Sequence, residues 1–246
     1  MYEKIFLGLA TLIFAGLLVF VFYEHSNLRP GMASLKRQFG NTFYGSPKIC
    51  IQPFNGVDTA AVAEVKRSIK KYYGFEVKVL APIALPESAR TTQIAAFRYY
   101  RPSANRFRAD TLIRHLRNVI PLGYDYILGI TASDISCTKK RDGKIKDPTW
   151  MYTDWGIFGL GFCPGRSCVV STYRLGRDTY DQEIIRNRLR KVANHELGHN
   201  LGLPHCPNPR CFMQDAMESM STIDREPESL CGNCRAQIGL ELAQRW

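Results

Sequence analysis

Residues 195–205 read His195-Glu196-Leu197-Gly198-His199-Asn200-Leu201-Gly202-Leu203-Pro204-His205, a string with three imidazoles and one carboxylate. Positions i and i+4 share a helix face. The string therefore predicts a helix on which His195 and His199 offer two ring nitrogens to one ion, with Glu196 projecting beside it. Gly202 lets the chain leave that helix, because glycine accepts the positive φ that other residues resist, and the turned chain brings back His205 as a third ligand. Three imidazoles fill three corners of a tetrahedron and leave the fourth for water, which separates a catalytic zinc site from a closed structural one. A bare His-Glu-x-x-His arises by chance in fewer than roughly one in a hundred chains of this length, and the added glycine and third histidine make it rarer still. The chain has five histidines. The two outside the string, His25 and His115, read as ordinary solvated residues.

A second constellation follows at once. Cys206 adjoins the third histidine, Cys211 comes shortly after, and Cys231 and Cys234 form a Cys-x-x-Cys. Four thiolates complete a tetrahedral zinc shell, and a shell with no open position does no chemistry, so the expected role is scaffolding. Residues 212–230 between the pairs contain Met213, Met217, Met220, several acids and Pro227, with little apolar periodicity to bury them. A metal clip would hold this segment where packing would not. Two disulfides or free thiols are the alternatives.

From His195 through His205 and Cys206, then four residues to Cys211, one to Met213 and seventeen to Cys231-Gly232-Asn233-Cys234, the spacing resembles the signature of the archaemetzincins, or archaelysin-like metallopeptidases. Tyr126–Thr131 and Ser171–Leu175 resemble strands of the same family, so the likeness covers most of the chain after residue 47. It implies the metzincin fold, an α/β (α+β, zincin-like) domain whose mixed twisted sheet packs on helices that include an active-site helix. It also implies catalytic zinc on His195, His199 and His205, with Glu196 as general base and acid. Met213 would be the Met-turn residue beneath the histidines. Cys206, Cys211, Cys231 and Cys234 would hold a second zinc, giving two Zn2+ per chain, and the substrate would be a peptide or protein.

The chemistry can also be argued from the residues. Zinc lowers the pKa of bound water towards about 7 and polarises a carbonyl. Glu196 is placed to take the proton and to pass it to the leaving amine. Histidine ligands need a partner on the free ring nitrogen, and the nearby candidates are Asn194, Asn200 and backbone carbonyls. Met213 alone reads as core filler, and only its offset from Cys211 raises it above that.

Ile5 to Phe22 is an uncharged apolar run long enough to span a bilayer, without the small-residue cleavage pattern of a signal peptide. Residues 1–23 are expected to be an uncleaved single-pass membrane anchor, 24–47 a linker and 48–246 the catalytic domain, with the second zinc site at 206–234. Lys4 stands against Arg29, Lys36 and Arg37, so the positive-inside count does not favour export. Cys163–Cys168 and Cys50–Cys137 are possible disulfides, and if oxidised they would favour an extracytoplasmic domain. Expected strands lie at 48–53, 75–80, 124–131, 155–160 and 167–173. Expected helices lie at 58–73, capped by Asp58, at 106–117 and at 179–201. Trp155 to Leu160, apolar and glycine-spaced, is the candidate edge strand for a peptide substrate, against an ordinary sheet edge.

A formal charge of +11 invites a nucleic-acid reading. The basic residues are dispersed and form no recognition motif, so no nucleic-acid partner is expected. A solvated surface or anionic lipid explains the excess as well, and acidic substrates fit it too. Two other readings stand beside the peptidase. One is a catalytically silent, zinc-stabilised scaffold, which Glu196 argues against. The other is a basic zinc protein that binds nucleic acid through its cysteine knuckles.

Overall fold

The computed structural model describes residues 46–91, 106–214 and 219–239. The expected anchor at 1–23 and nearly all of the linker at 24–47 lie outside them. Among the described residues no helix is long and apolar enough to cross a membrane.

The first strand, β1 (Lys48–Pro53), is buried after its first residue. Alternate side chains therefore go to two different cores, Ile49 and Ile51 to one and Cys50 to the other. Asp58 then accepts hydrogen bonds from the backbone N–H groups of Ala60 and Ala61 and starts α1 (Thr59–Tyr73), which ends at Gly74 with φ of 70°. Next comes β2 (Glu76–Val79), parallel to β1. A short strand, β3 (Arg106–Arg108), runs directly into α2 (Ala109–Asn118), and β4 (Tyr126–Thr131) pairs parallel to β1 on its other side.

The middle of the chain is irregular. It comprises β5 (Asp134–Cys137), the hairpin β6 (Lys140–Arg141) and β7 (Lys144–Ile145), the single turn α3 (Thr149–Tyr152), then β8 (Trp155–Ile157) and β9 (Gly159–Gly161). The last strand, β10 (Ser167–Ser171), precedes the long α4 (Gln182–Asn200) and the short α5 (Met220–Arg225) and α6 (Gly232–Gln237). The main sheet has the order β2-β1-β4-β10-β9, parallel except for β9, which runs antiparallel to β10 along one edge. A smaller sheet, β3-β5-β8, stands beside it.

Three layers result, as a parallel sheet requires. Ile49, Ile51, Tyr126, Leu128, Ile130 and Val170 face α1 and α4, where they meet Val65, Ile69, Leu189 and Leu197. Cys50, Ile127 and Val169 face α2, against Leu112, Ile113 and Leu116. Each such buried aliphatic side chain contributes about 1.5–3 kcal/mol. Gly129 in β4 lets α2 approach, since a Cβ there would stand 2.6 Å from Leu116 Cδ1.

The mixed sheet on helices matches the expected fold class, with three local corrections. The helix expected at 106–117 begins only at Ala109. Arg106 is instead a strand residue, 1% exposed, whose guanidinium pairs with Asp134 and Asp154. The strand expected at 155–160 breaks at Phe158 into β8 on the small sheet and β9 on the large one. The possible disulfides are not formed, and none of the eight cysteines is disulfide-bonded. Cys50 Sγ donates to the carbonyl of Tyr126, and Cys163 Sγ to that of Leu203, while Cys168 is buried in the core facing α4.

Candidate active site and metal centres

Asp181 caps α4 by accepting from the N–H groups of Glu183 and Ile184. Arg188, 4% exposed, anchors the helix through Asp178, Asp224 and the Leu175 carbonyl. Farther along, Asn194 Nδ2 donates to Ser68 Oγ at 2.6 Å, and Tyr73 Oη donates to the Asn194 carbonyl at 2.6 Å, tying the helix to α1. Asn200 Nδ2 donates to the carbonyls of Phe162 and Ser167, both at 3.0 Å. The two asparagines are therefore structural braces.

His195 Nδ1 lies 2.7 Å from the Phe212 carbonyl and His199 Nδ1 lies 2.8 Å from that of Leu203. A carbonyl can only accept, so both Nδ1 atoms carry the proton and both Nε2 atoms are left as lone-pair donors. The Nε2 atoms stand 3.0 Å apart. Gly202, with φ of 90°, ends the helix, and the chain returns His205 with its ring centroid 5.4 Å from His195 and 4.9 Å from His199. The ligand atoms of the three histidines all lie within 4.8 Å of one another. Burial and the neighbouring His199 lower the His195 pKa to about 3, so its ring is held in the neutral form a metal needs.

Glu196 lies against β9. A Cβ on Gly159 would meet its Cγ at 2.7 Å, and a Cβ on Gly161 would meet its backbone oxygen at 2.7 Å, so the two glycines make the space that the residue fills. Burial raises its pKa to about 8, opposed by a hydrogen bond from the backbone N–H of Gly161. His195, Glu196, His199 and His205 open onto a cleft of about 650 Å³ whose other wall is β8 and β9. Met213, fully buried, packs under α4, its sulfur occupying the space a side chain on Gly198 would take.

The four cysteines also converge. Cys206 and Cys231 sulfurs are 3.8 Å apart, Cys211 and Cys234 sulfurs 3.7 Å, and all four lie within 4.8 Å of one another. Sulfurs about 2.3 Å from one zinc stand about 3.8 Å apart along a tetrahedral edge, whereas a disulfide would bring them to about 2 Å. Geometry and donor chemistry both suit zinc. The two clusters are joined through the backbone: Cys206 N–H donates to the Met213 carbonyl at 2.7 Å, and Phe212, whose carbonyl holds His195, donates its N–H to Ser229.

Residues 49–239 match Peptidase family M54. The chain belongs to this family, the archaemetzincins. It is 32% identical to the archaemetzincin of Methanopyrus kandleri over 202 residues, covering 80% of this chain and 96% of the relative. It is 28% identical to that of Halobacterium salinarum, covering 78% and 99%. The crystal structure of the Methanopyrus kandleri archaemetzincin superposes with a TM-score of 0.60 over 81% of this chain and 97% of that one, at 28% identity. The Archaeoglobus fulgidus archaemetzincin, crystallised with malonate, gives 0.57 at 29% identity over 77% and 99%. The archaemetzincin assignment makes the chain a zinc metallopeptidase, an enzyme that acts on peptide or protein substrates.

All nine residues singled out as ligands, base or Met-turn residue thus lie in two adjoining clusters or, for Met213, packed under α4 beside them. The sequence reading did not single out Phe212 and Leu203, which act through backbone carbonyls and carry no side-chain signal. It also passed over the function of Gly159 and Gly161, whose spacing was the visible clue.

Proposed function

We propose that this archaemetzincin hydrolyses peptide bonds at the His195, His199 and His205 centre with Glu196 as the proton carrier, and that it holds a second, structural zinc on Cys206, Cys211, Cys231 and Cys234. The observation that carries this reading is the Glu196 carboxylate, buried beside three convergent imidazoles at the floor of an open cleft. Zinc, when bound, supplies the Lewis acidity that polarises the peptide carbonyl and acidifies water. Glu196 takes the proton from the attacking water and returns it to the leaving nitrogen. The carbonyls of Phe212 and Leu203 orient the ligating rings. Met213 supports them from below. The exposed edge of β9 recruits the substrate backbone as an added strand, which aligns the scissile bond along the cleft. A silent scaffold would have no use for a carboxylate walled in by two glycines beside a metal site.

The finer location is also a proposal. Residues 5–22 form an uncharged apolar segment of bilayer-spanning length, which supports a single-pass anchor, with 24–47 as tether and 48–246 as the catalytic unit. The enzymatic reading is tested with purified protein and a mixed peptide library. Cleavage should stop on chelation and return with zinc, with two ions bound per chain. Cleavage that survives full metal removal would contradict it. Anchoring predicts that the full chain pellets with membranes and is released by detergent but not by high salt.

A further inference from the structure

The cleft ends, away from the histidines, in a cationic wall that the hydrolytic chemistry does not use. Lys139, Lys140, Arg174 and Arg177 line it together with Trp155. Arg174 is built in. Its Nε and Nη2 donate to the two carboxylate oxygens of Asp134 at 2.6 and 3.0 Å, and Asp134 is fully buried. Its guanidinium occupies the space a side chain on Gly156 would take, so β8 runs directly across it. Asp134 also accepts from Arg106, which pairs in turn with Asp154. Charge within that buried group is balanced, and Arg174 contributes a fixed donor edge rather than net charge.

The excess charge comes from the solvent side. Lys139 Nζ stands 5.4 Å from the Trp155 ring centroid and the exposed Arg177 guanidinium 5.6 Å from that of Tyr173. The stretch 139–147 carries Lys139, Lys140, Arg141, Lys144 and Lys146 against only Asp142 and Asp147. Of the acids lining the cleft, Asp178 accepts from Arg188, and Glu196 sits at the opposite end among the histidines. From Gly159, against Glu196, to Trp155 the chain advances at most about 13 Å at the rise of a strand, the reach of a few residues of extended peptide.

We propose that this end of the cleft is a carboxylate-recognition subsite, selecting peptides that carry an acidic side chain or a free C-terminal carboxylate a few residues from the scissile bond. The proposal rests on the peptidase reading above. With its Nε/Nη2 edge held by Asp134, Arg174 keeps its remaining Nη hydrogens for a carboxylate, the exposed Arg177 guanidinium adds a mobile donor fork, and the surrounding ammonium groups disfavour basic side chains.

The test is equilibrium binding to zinc-loaded Glu196→Gln protein, which separates recognition from turnover. One neutral peptide is varied with Asp, Gln or Lys at each position in turn, and each version is made as C-terminal acid and as amide. An acidic group at the matching position should lower Kd about tenfold at low salt, and the advantage should shrink as salt screens it. An advantage for internal Asp in the amide peptides assigns the subsite to a side chain; one confined to the free acids assigns it to the terminus. The double variant Lys140→Gln, Arg177→Gln, combined with Glu196→Gln, should bring Asp and Gln peptides within about twofold. Equal Kd values for Asp, Gln and Lys peptides, or an Asp advantage that survives the double variant, overturn the proposal. Peptides bound selectively here yet never cut by the native enzyme would instead overturn the peptidase reading and leave the subsite standing.

Discussion

Glu196 occupies volume that any side chain at 159 or 161 would claim. Gly159→Ala should therefore push the carboxylate out of line while leaving the helix and the histidines in place. We expect kcat/KM to fall about a hundredfold with zinc content and melting temperature little changed; a variant with native turnover would show that the close approach has no role. A second buried carboxylate behaves differently. Glu226 is 3% exposed, and burial raises its pKa to about 7, opposed by Lys191. An acid whose pKa is raised on folding costs stability wherever the unfolded chain is ionised and the folded group resists, a penalty absent at low pH that grows from about pH 4.5 and is complete above about 7. Glu226→Gln should raise the melting temperature by about 2–4 °C at pH 8, with the gain shrinking towards pH 5. A gain independent of pH would exclude this cause.

At the scale of elements, α4 and the loop that follows it carry the candidate site, and on the proposed reading the cysteine cluster would pin that loop. Cys206 reaches Met213 through the backbone and Phe212 reaches His195, so the two centres share one short segment. Cys231→Ser should reduce zinc from two ions to one per chain, lower the melting temperature and cost about tenfold or more in activity through the loosened histidine support. Loss of metal without loss of activity would uncouple the centres. The helix α4 was legible because its histidines, cap and terminating glycine are all local, as were α1 with Asp58 and the apolar, buried strands β1 and β4. The illegible elements depend on distant partners. β3 is a strand because Arg106 finds Asp134 and Asp154 across the fold, and β8 parts from β9 because Ile157 pairs with Ile135 while Gly159 pairs with Val170. No local pattern announces such pairings.

For the molecule as a whole, one sheet clamped between α1 and α4 on one face and α2 on the other presents its edge strand to a cleft whose far end is basic. The match to the family covers residues 49–239, and the described strands and helices run from Lys48 to Gln237. If residues 5–22 are an anchor and 48–246 the catalytic unit, as proposed, a chain beginning at residue 46 should keep the zinc content of the full chain and kcat/KM within about twofold of it while losing membrane association; loss of activity in a folded fragment would contradict that division. On the proposed reading, zinc on the four cysteines would serve stability, whereas the histidine centre, with its open position, would be the reactive one. The most direct test of the central claim is peptide cleavage by Glu196→Gln, measured beside zinc content on the same preparation. The account predicts two zinc ions retained and turnover reduced at least a thousandfold, and cleavage at a native rate with both ions bound would contradict it.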